Sequence, residues 1–146
     1  MSIGSTKHLR VVAAAIEFQG NILCVQRGPN ARSYISDKWE FPGGKIELGE
    51  DHSSALIREI AEELRAPIAV GAHLLTVDHR YADFSLTMYT YLCTLVPPVR
   101  SVTLTEHQDL RWLDPMMPEF SSLDWAAADL PIVAALRSRK RHGGVI

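Results

Sequence analysis

Residues 43–66, GGKIELGEDHSSALIREIAEELRA, constrain this chain more than any other stretch, because they set four glutamates and an arginine at fixed offsets behind a glycine pair. Five residues separate Gly44 from Glu50, and seven more lead to Arg58-Glu59. Ile60 and Ala61 then lead to Glu62-Glu63. With a helical period, Glu59, Glu62 and Glu63 fall at i, i+3 and i+4, so three carboxylates share one face within one turn. Like charges at that spacing repel. A fold that keeps them together needs an offsetting partner, and a hard divalent cation with oxygen ligands is the obvious one.

The rest of the chain supplies strands around that helix. Residues 9–18 form a nearly continuous apolar run, Gln19-Gly20-Asn21 reads as a turn, and residues 21–27 return as the second arm of a hairpin. Residues 28–38 are a polar loop. Trp39-Glu40-Phe41 is a short extended piece that runs through Pro42 into a Gly43-Gly44 turn. Asp51 is the candidate N-cap of a helix to about Leu64, with Leu56, Ile60 and Leu64, joined by Ile57 and Ala61, as its apolar face. Pro67 opposes continuation. Residues 72–80 and 84–96 read as a long hairpin around Tyr81-Ala82-Asp83, residues 110–113 as a short strand, and residues 131–141 as a terminal amphipathic helix. The basic segment SRKRHGG, residues 138–144, has a phosphate-binding reading but reads first as a solvated helix end with a glycine stop. With no linker and no repeat, the expectation is a single α/β domain over residues 1–146, a mixed central β-sheet between helical layers.

The glycine–x5–glutamate–x7–arginine–glutamate–apolar–x–glutamate–glutamate pattern closely resembles the Nudix box. The departure is its final glycine, which is Arg65 here, at a helix end where glycine normally supplies a left-handed cap. The resemblance implies the Nudix α/β/α sandwich and hydrolysis of phosphoanhydrides with Mg²⁺, or alternatively Mn²⁺. By that resemblance Glu59, Glu62 and Glu63 are metal ligands, and one of them takes the proton from water. Gly43 offers a backbone carbonyl to the metal, and Glu50 is a further ligand or a hydrogen-bonding acid behind it. Arg58 either orients a neighbouring glutamate or forms a plain salt bridge. Glu106, in LTEHQDLRW, matches a position that adds an acid from a loop opposite the helix, or else is an ordinary loop acid. His107 beside it reads as structural.

Outside the box, VVAAAIEFQGNILCVQRG, WEFPGGK, EHQDLRWL and LDWAAADLPIVAAL resemble the MutT-type, CTP pyrophosphohydrolase-like subgroup. This implies a nucleotide substrate, an NTP or dNTP (normal, oxidised or otherwise modified) cleaved to NMP and pyrophosphate. ADP-ribose or a dinucleoside polyphosphate is the alternative, and a binding domain without turnover is disfavoured because every box carboxylate is present. Arg27 and Lys45 are candidates to reach a phosphate. Asp129 stands where the subgroup places a base-contacting residue, but it also stands two residues before Pro131 and reads equally as a helix cap. Phe41, Tyr34 and Trp125 either stack on a base or belong to the core.

Composition narrows the partners. A formal charge of −2 gives no general attraction to nucleic acid polymers or anionic membranes. No run reaches the length of a membrane span and no signal peptide is evident, which favours a cytoplasmic protein, a monomer or homodimer. Cys24 and Cys93 lie in strand-like apolar runs and read as buried free thiols.

Overall fold

The computed structural model describes residues 7–143. Gly144, the second glycine of the basic segment, lies outside the described residues. Seven strands form one mixed sheet: β1 (Lys7–Phe18), β2 (Asn21–Gln26), β3 (Trp39–Glu40), β4 (Gly43–Lys45), β5 (Ile68–Arg80), β6 (Phe84–Leu95) and β7 (Asp109–Leu113). The helices are α1 (His52–Leu64), α2 (Pro118–Ser122) and α3 (Leu130–Arg141), with a 3₁₀ turn at Ala127–Asp129. The main path runs β3-β2-β1-β6-β5, with β4 also on β1 and β7 on β2. The pivot is β1, which pairs parallel to β6 from Lys7 to Glu17 and antiparallel to β2 and β4.

The apolar run of β1 is continuous because both faces of that strand are covered. Val12, Ala14 and Ile16 face α1, with Leu23, Val25, Leu56, Ile60, Leu64, Ile68 and Leu95 in the same cluster. Ala13 and Ala15 face the other way, into a cluster with Trp39, Phe41, Leu86, Met88, Phe120, Trp125, Ile132 and Leu136. Two helical layers on opposite faces of a mixed sheet are the α/β/α sandwich expected from the sequence. Both cysteines are free and buried. No described helix is long and apolar enough to cross a membrane.

Several local readings need correction. Gly43-Gly44 is not a turn but part of β4, paired with Ala13 and Val12. A side chain at Gly43 would run into the Val12 carbonyl and the Ala13 backbone, so the glycine permits an approach that no larger residue allows. In α1, Leu56, Ile60 and Leu64 are fully buried, each contributing roughly 1.5–3 kcal/mol, whereas Ile57 is exposed and Ala61 faces solvent. The apolar stripe is narrower than the pattern suggested. β5 begins at Ile68 rather than residue 72, bridging register shifts between Val70 and Leu75.

Candidate active site

The N-terminus of α1 is fixed by Asp51, whose carboxylate accepts the Ser54 N–H at 2.7 Å. Its C-terminus ends on Arg65 in the left-handed region, φ 51° and ψ 41°, with the Arg65 N–H donating to the Ala61 carbonyl. The missing box glycine therefore changes the residue but not the cap conformation, and an exposed arginine carries the strain instead.

Between those ends the carboxylate arc divides. Glu59 lies directly over Gly44, so close that a Cβ there would overlap its carboxylate. Glu63, one turn on, is 6% exposed, and its Oε2 is buried with no hydrogen-bond partner. Glu62 turns outward, with a side chain 58% exposed. Burial, reinforced by Glu40, Glu59 and Glu106, pushes the Glu63 carboxyl up to about 9. Burial also raises Glu59, against the pull of Arg58.

Arg58 is the clamp of this cluster. Its Nε and Nη2 donate to the two oxygens of Glu50 at 2.7 and 2.8 Å, and its Nη1 donates to Glu59 Oε1 at 2.9 Å. Nη2 also donates to the Lys45 carbonyl at 3.0 Å, tying helix to strand β4. The Arg58 hydrogen bonds hold the Glu50 carboxyl down at about 2. Arg58 thus pairs with two acids at once. Among the described residues no three acidic, His or Cys side chains converge into a ready-made metal cage. The orphaned Glu63 oxygen beside Glu59 and Glu106 nevertheless fits a hard cation, since oxygen donors are what Mg²⁺ and Mn²⁺ take.

Glu106 reaches this region on a loop hung between two supports. The Thr103 and Thr105 N–H groups donate to the Leu64 and Glu63 carbonyls, and the Thr105 hydroxyl bonds the Glu62 and Glu63 carbonyls at 2.9 Å. On the other side the Gln108 N–H donates to the Gln26 carbonyl, and Gln108 Nε2 to the Arg27 carbonyl at 2.8 Å. The loop is therefore laced to the end of α1 and the end of β2.

These groups line one cavity of about 740 Å³, within the usual range of small-molecule sites. Gly43, Gly44, Lys45, Glu59, Glu63, Glu106 and Arg27 line it, as do Phe41, Tyr81, Leu86, Met88, Ala128 and Asp129. Lys45 is exposed. Phe41 is 3% exposed and stacks on Trp125 at 4.7 Å between centroids, so it serves the core as well as the cavity wall. Trp125 and Tyr34 do not line the cavity, and Tyr34 stacks on Tyr81 at 5.0 Å instead. Asp129 corrects one sequence reading: its side chain makes no capping hydrogen bond to α3. Its Oδ1 instead accepts the Phe41 N–H at 2.9 Å. Burial, with Glu40 adding to it, pushes the Asp129 carboxyl well above the usual carboxylate range.

A family profile for the NUDIX domain matches residues 6–136, which span the sheet, the glutamate helix and the loop of Glu106. The chain belongs to the NUDIX domain family. The CTP pyrophosphohydrolase of Escherichia coli (strain K12) is 35% identical over 130 residues, covering 88% of this chain and 91% of that one. The 8-oxo-dGTP diphosphatase of Proteus vulgaris is 34% identical over 88 residues, covering 60% of this chain and 78% of that one. Among solved structures, the solution structure of the E. coli ORF135 protein superposes with a TM-score of 0.78 at 32% identity, covering 97% of both chains.

This Nudix hydrolase brings together on its cavity wall Gly43, Glu59, Glu63, Glu106, Arg27, Lys45, Phe41 and Asp129 of the residues singled out from sequence. Glu50 and Glu62 stand off the wall, linked to it through Arg58. Glu40 was missed. It lines the same cavity, accepting from Arg27 Nε at 2.9 Å and from His107 Nε2 at 2.9 Å. The only signal for it was alternation within Trp39-Glu40-Phe41, which sets a charged residue between two buried aromatics.

Proposed function

We propose that this Nudix hydrolase is a cytoplasmic, single-domain, divalent-metal-dependent nucleoside triphosphate pyrophosphohydrolase, acting on a normal or oxidised NTP or dNTP as a monomer or homodimer. The observation that carries the reading is the cavity itself. It joins a partnerless buried carboxylate oxygen on Glu63 to a wall where Phe41 and Asp129 meet apolar side chains. The names of the CTP and 8-oxo-dGTP relatives support a nucleotide at that wall.

In this reading Glu59, Glu63 and Glu106, with the Gly43 carbonyl, would hold Mg²⁺ or Mn²⁺ at the cavity wall, and Glu62 would join them by turning its exposed side chain inward. The bound ion supplies Lewis acidity toward phosphate oxygens and lowers the pKa of water. One of the helix glutamates takes the proton of the attacking water. Arg58 keeps Glu59 and Glu50 in place, as its bonds to both support. Arg27 and Lys45 meet the phosphates, and Asp129 meets a base edge at the Phe41 wall.

The test is a panel of nucleoside triphosphates, oxidised triphosphates, ADP-ribose and dinucleoside polyphosphates, with and without excess chelator, with products identified. Pyrophosphate and NMP release that stops with chelator is the expected result. Full turnover in chelator sinks the metal role, and turnover confined to ADP-ribose or dinucleosides sinks the substrate class.

A further inference from the structure

Both oxygens of Glu40 are committed, Oε1 to Arg27 and Oε2 to His107. The three residues come from separate segments held in register by backbone bonds. The β2–β3 ladder pairs Val25 with Glu40 and Gln26 with Trp39, which sets Glu40 beside the start of the Arg27 side chain. Gln108 ties the His107 loop to the same strand end. The His107 side chain is 5% exposed and its Nδ1 is buried without a partner, so the ring is locked by its single bond to Glu40. Arg27, by contrast, is about half exposed and lines the cavity. With Nε bound to Glu40, the two terminal nitrogens of Arg27 stand outside that pair. A guanidinium held in this way presents a planar fork that matches phosphate oxygens.

By charge alone Glu40 is out of place. It shares the cavity with Glu59, Glu63, Glu106 and Asp129, and a further carboxylate there repels a polyphosphate. Its value lies in geometry. We propose that Glu40, braced by His107, is a positioning residue that holds Arg27 with its free guanidinium edge toward the substrate polyphosphate. The proposal rests on the reading of this cavity as a nucleoside triphosphate site.

Positioning and simple charge predict opposite signs for Glu40→Gln. Loss of a repelling charge alone would lower KM. A slackened Arg27 would raise it, and since the arginine holds phosphate in both ground and transition states, kcat should change little. The expected result, at saturating Mg²⁺, is a KM increase of roughly fivefold or more with kcat within about threefold. In an Arg27→Ala background Glu40→Gln should no longer raise KM, because the positioning effect is gone and only the loss of a repelling charge is left. His107→Gln keeps an N–H donor for Glu40 and should stay near wild type, whereas His107→Phe should resemble Glu40→Gln. Thermal melts establish that each variant is folded, and if Glu40→Gln is not, the His107 pair decides. A lowered KM in Glu40→Gln alone, independent multiplying effects of Glu40→Gln and Arg27→Ala, or a kcat loss at constant KM overturns the proposal.

If the wild type hydrolyses no triphosphate, the functional reading fails by itself, and calorimetric binding of inorganic pyrophosphate then decides the role of Glu40. Equal weakening in Arg27→Ala and Glu40→Gln upholds it. No binding, or equal binding by all three proteins, overturns it.

Discussion

The position of Glu63 has a measurable price in stability, and Glu63→Gln should remove it. In chelator-treated protein the buried Glu63 carboxyl titrates near 9 instead of its ordinary 4.5. Below about pH 4.5 the folded and unfolded chains both carry the proton, and Glu63 costs nothing. As pH rises from there, the unfolded chain releases the proton while the folded protein keeps it, so stability falls by about 1.36 kcal/mol per pH unit until roughly pH 9. At pH 8 the penalty has a ceiling of roughly 5 kcal/mol. A neutral acid and an amide bury similar polar atoms, so wild type and variant should match near pH 5 and diverge steadily above it, by about 2–5 kcal/mol at pH 8. Urea unfolding of both proteins in chelator at several pH values between 5 and 9 measures the difference directly, and slopes shared through other buried acids cancel. Added Mg²⁺ should then stabilise wild type more than the variant, because it binds the folded state through that carboxylate. A stability difference that does not change with pH would refute the reasoning.

Arg65→Gly should stabilise the protein by about 0.5–1 kcal/mol, since the left-handed strain at φ 51° slightly outweighs the added freedom of an unfolded glycine; a melting temperature that does not rise argues against a strained cap. Gly44→Ala should leave stability within about 1 kcal/mol but lower kcat at least about tenfold, because the new methyl displaces the flexible end of Glu59; normal turnover would remove Glu59 from the chemistry. Asp129→Asn should keep the acceptor for the Phe41 N–H and shift the ratio of kcat/KM between a cytosine and an oxidised guanine triphosphate by roughly tenfold. An unchanged ratio assigns base choice to other residues.

What could be read from the sequence was what repeats locally. The cap at Asp51, the buried Leu56-Ile60-Leu64 stripe and the run of β1 all follow from short-range pattern, and each is present. The division of the three glutamates was not legible, because helical spacing places side chains around an axis but does not say which edge the sheet covers. Gly43 and Gly44 looked like a turn because glycine serves both turns and close backbone approaches. Only the long-range pairing of β4 with β1 decides between them. The same limit hid Glu40, whose partners lie 13 and 67 residues away, and α2, too short to carry a period. Asp129 looked like a cap because its local sequence suits one, while its actual partner, Phe41, is 88 residues away.

The lacing of the Glu106 loop to α1 at Thr103 and Thr105, and to β2 at Gln108, divides the chain between β6 and β7 into two regimes. The downstream half is mortised into the cavity wall, so its length is fixed to the residue. The upstream half, near residues 97–101, meets the body of the fold instead through Val99, packed on the α1-side cluster, and through Arg100, whose guanidinium stands over the Phe18 ring. A change of length upstream of Thr103 should therefore leave the acid opposite the helix where it is, because every hydrogen bond that anchors its loop lies downstream.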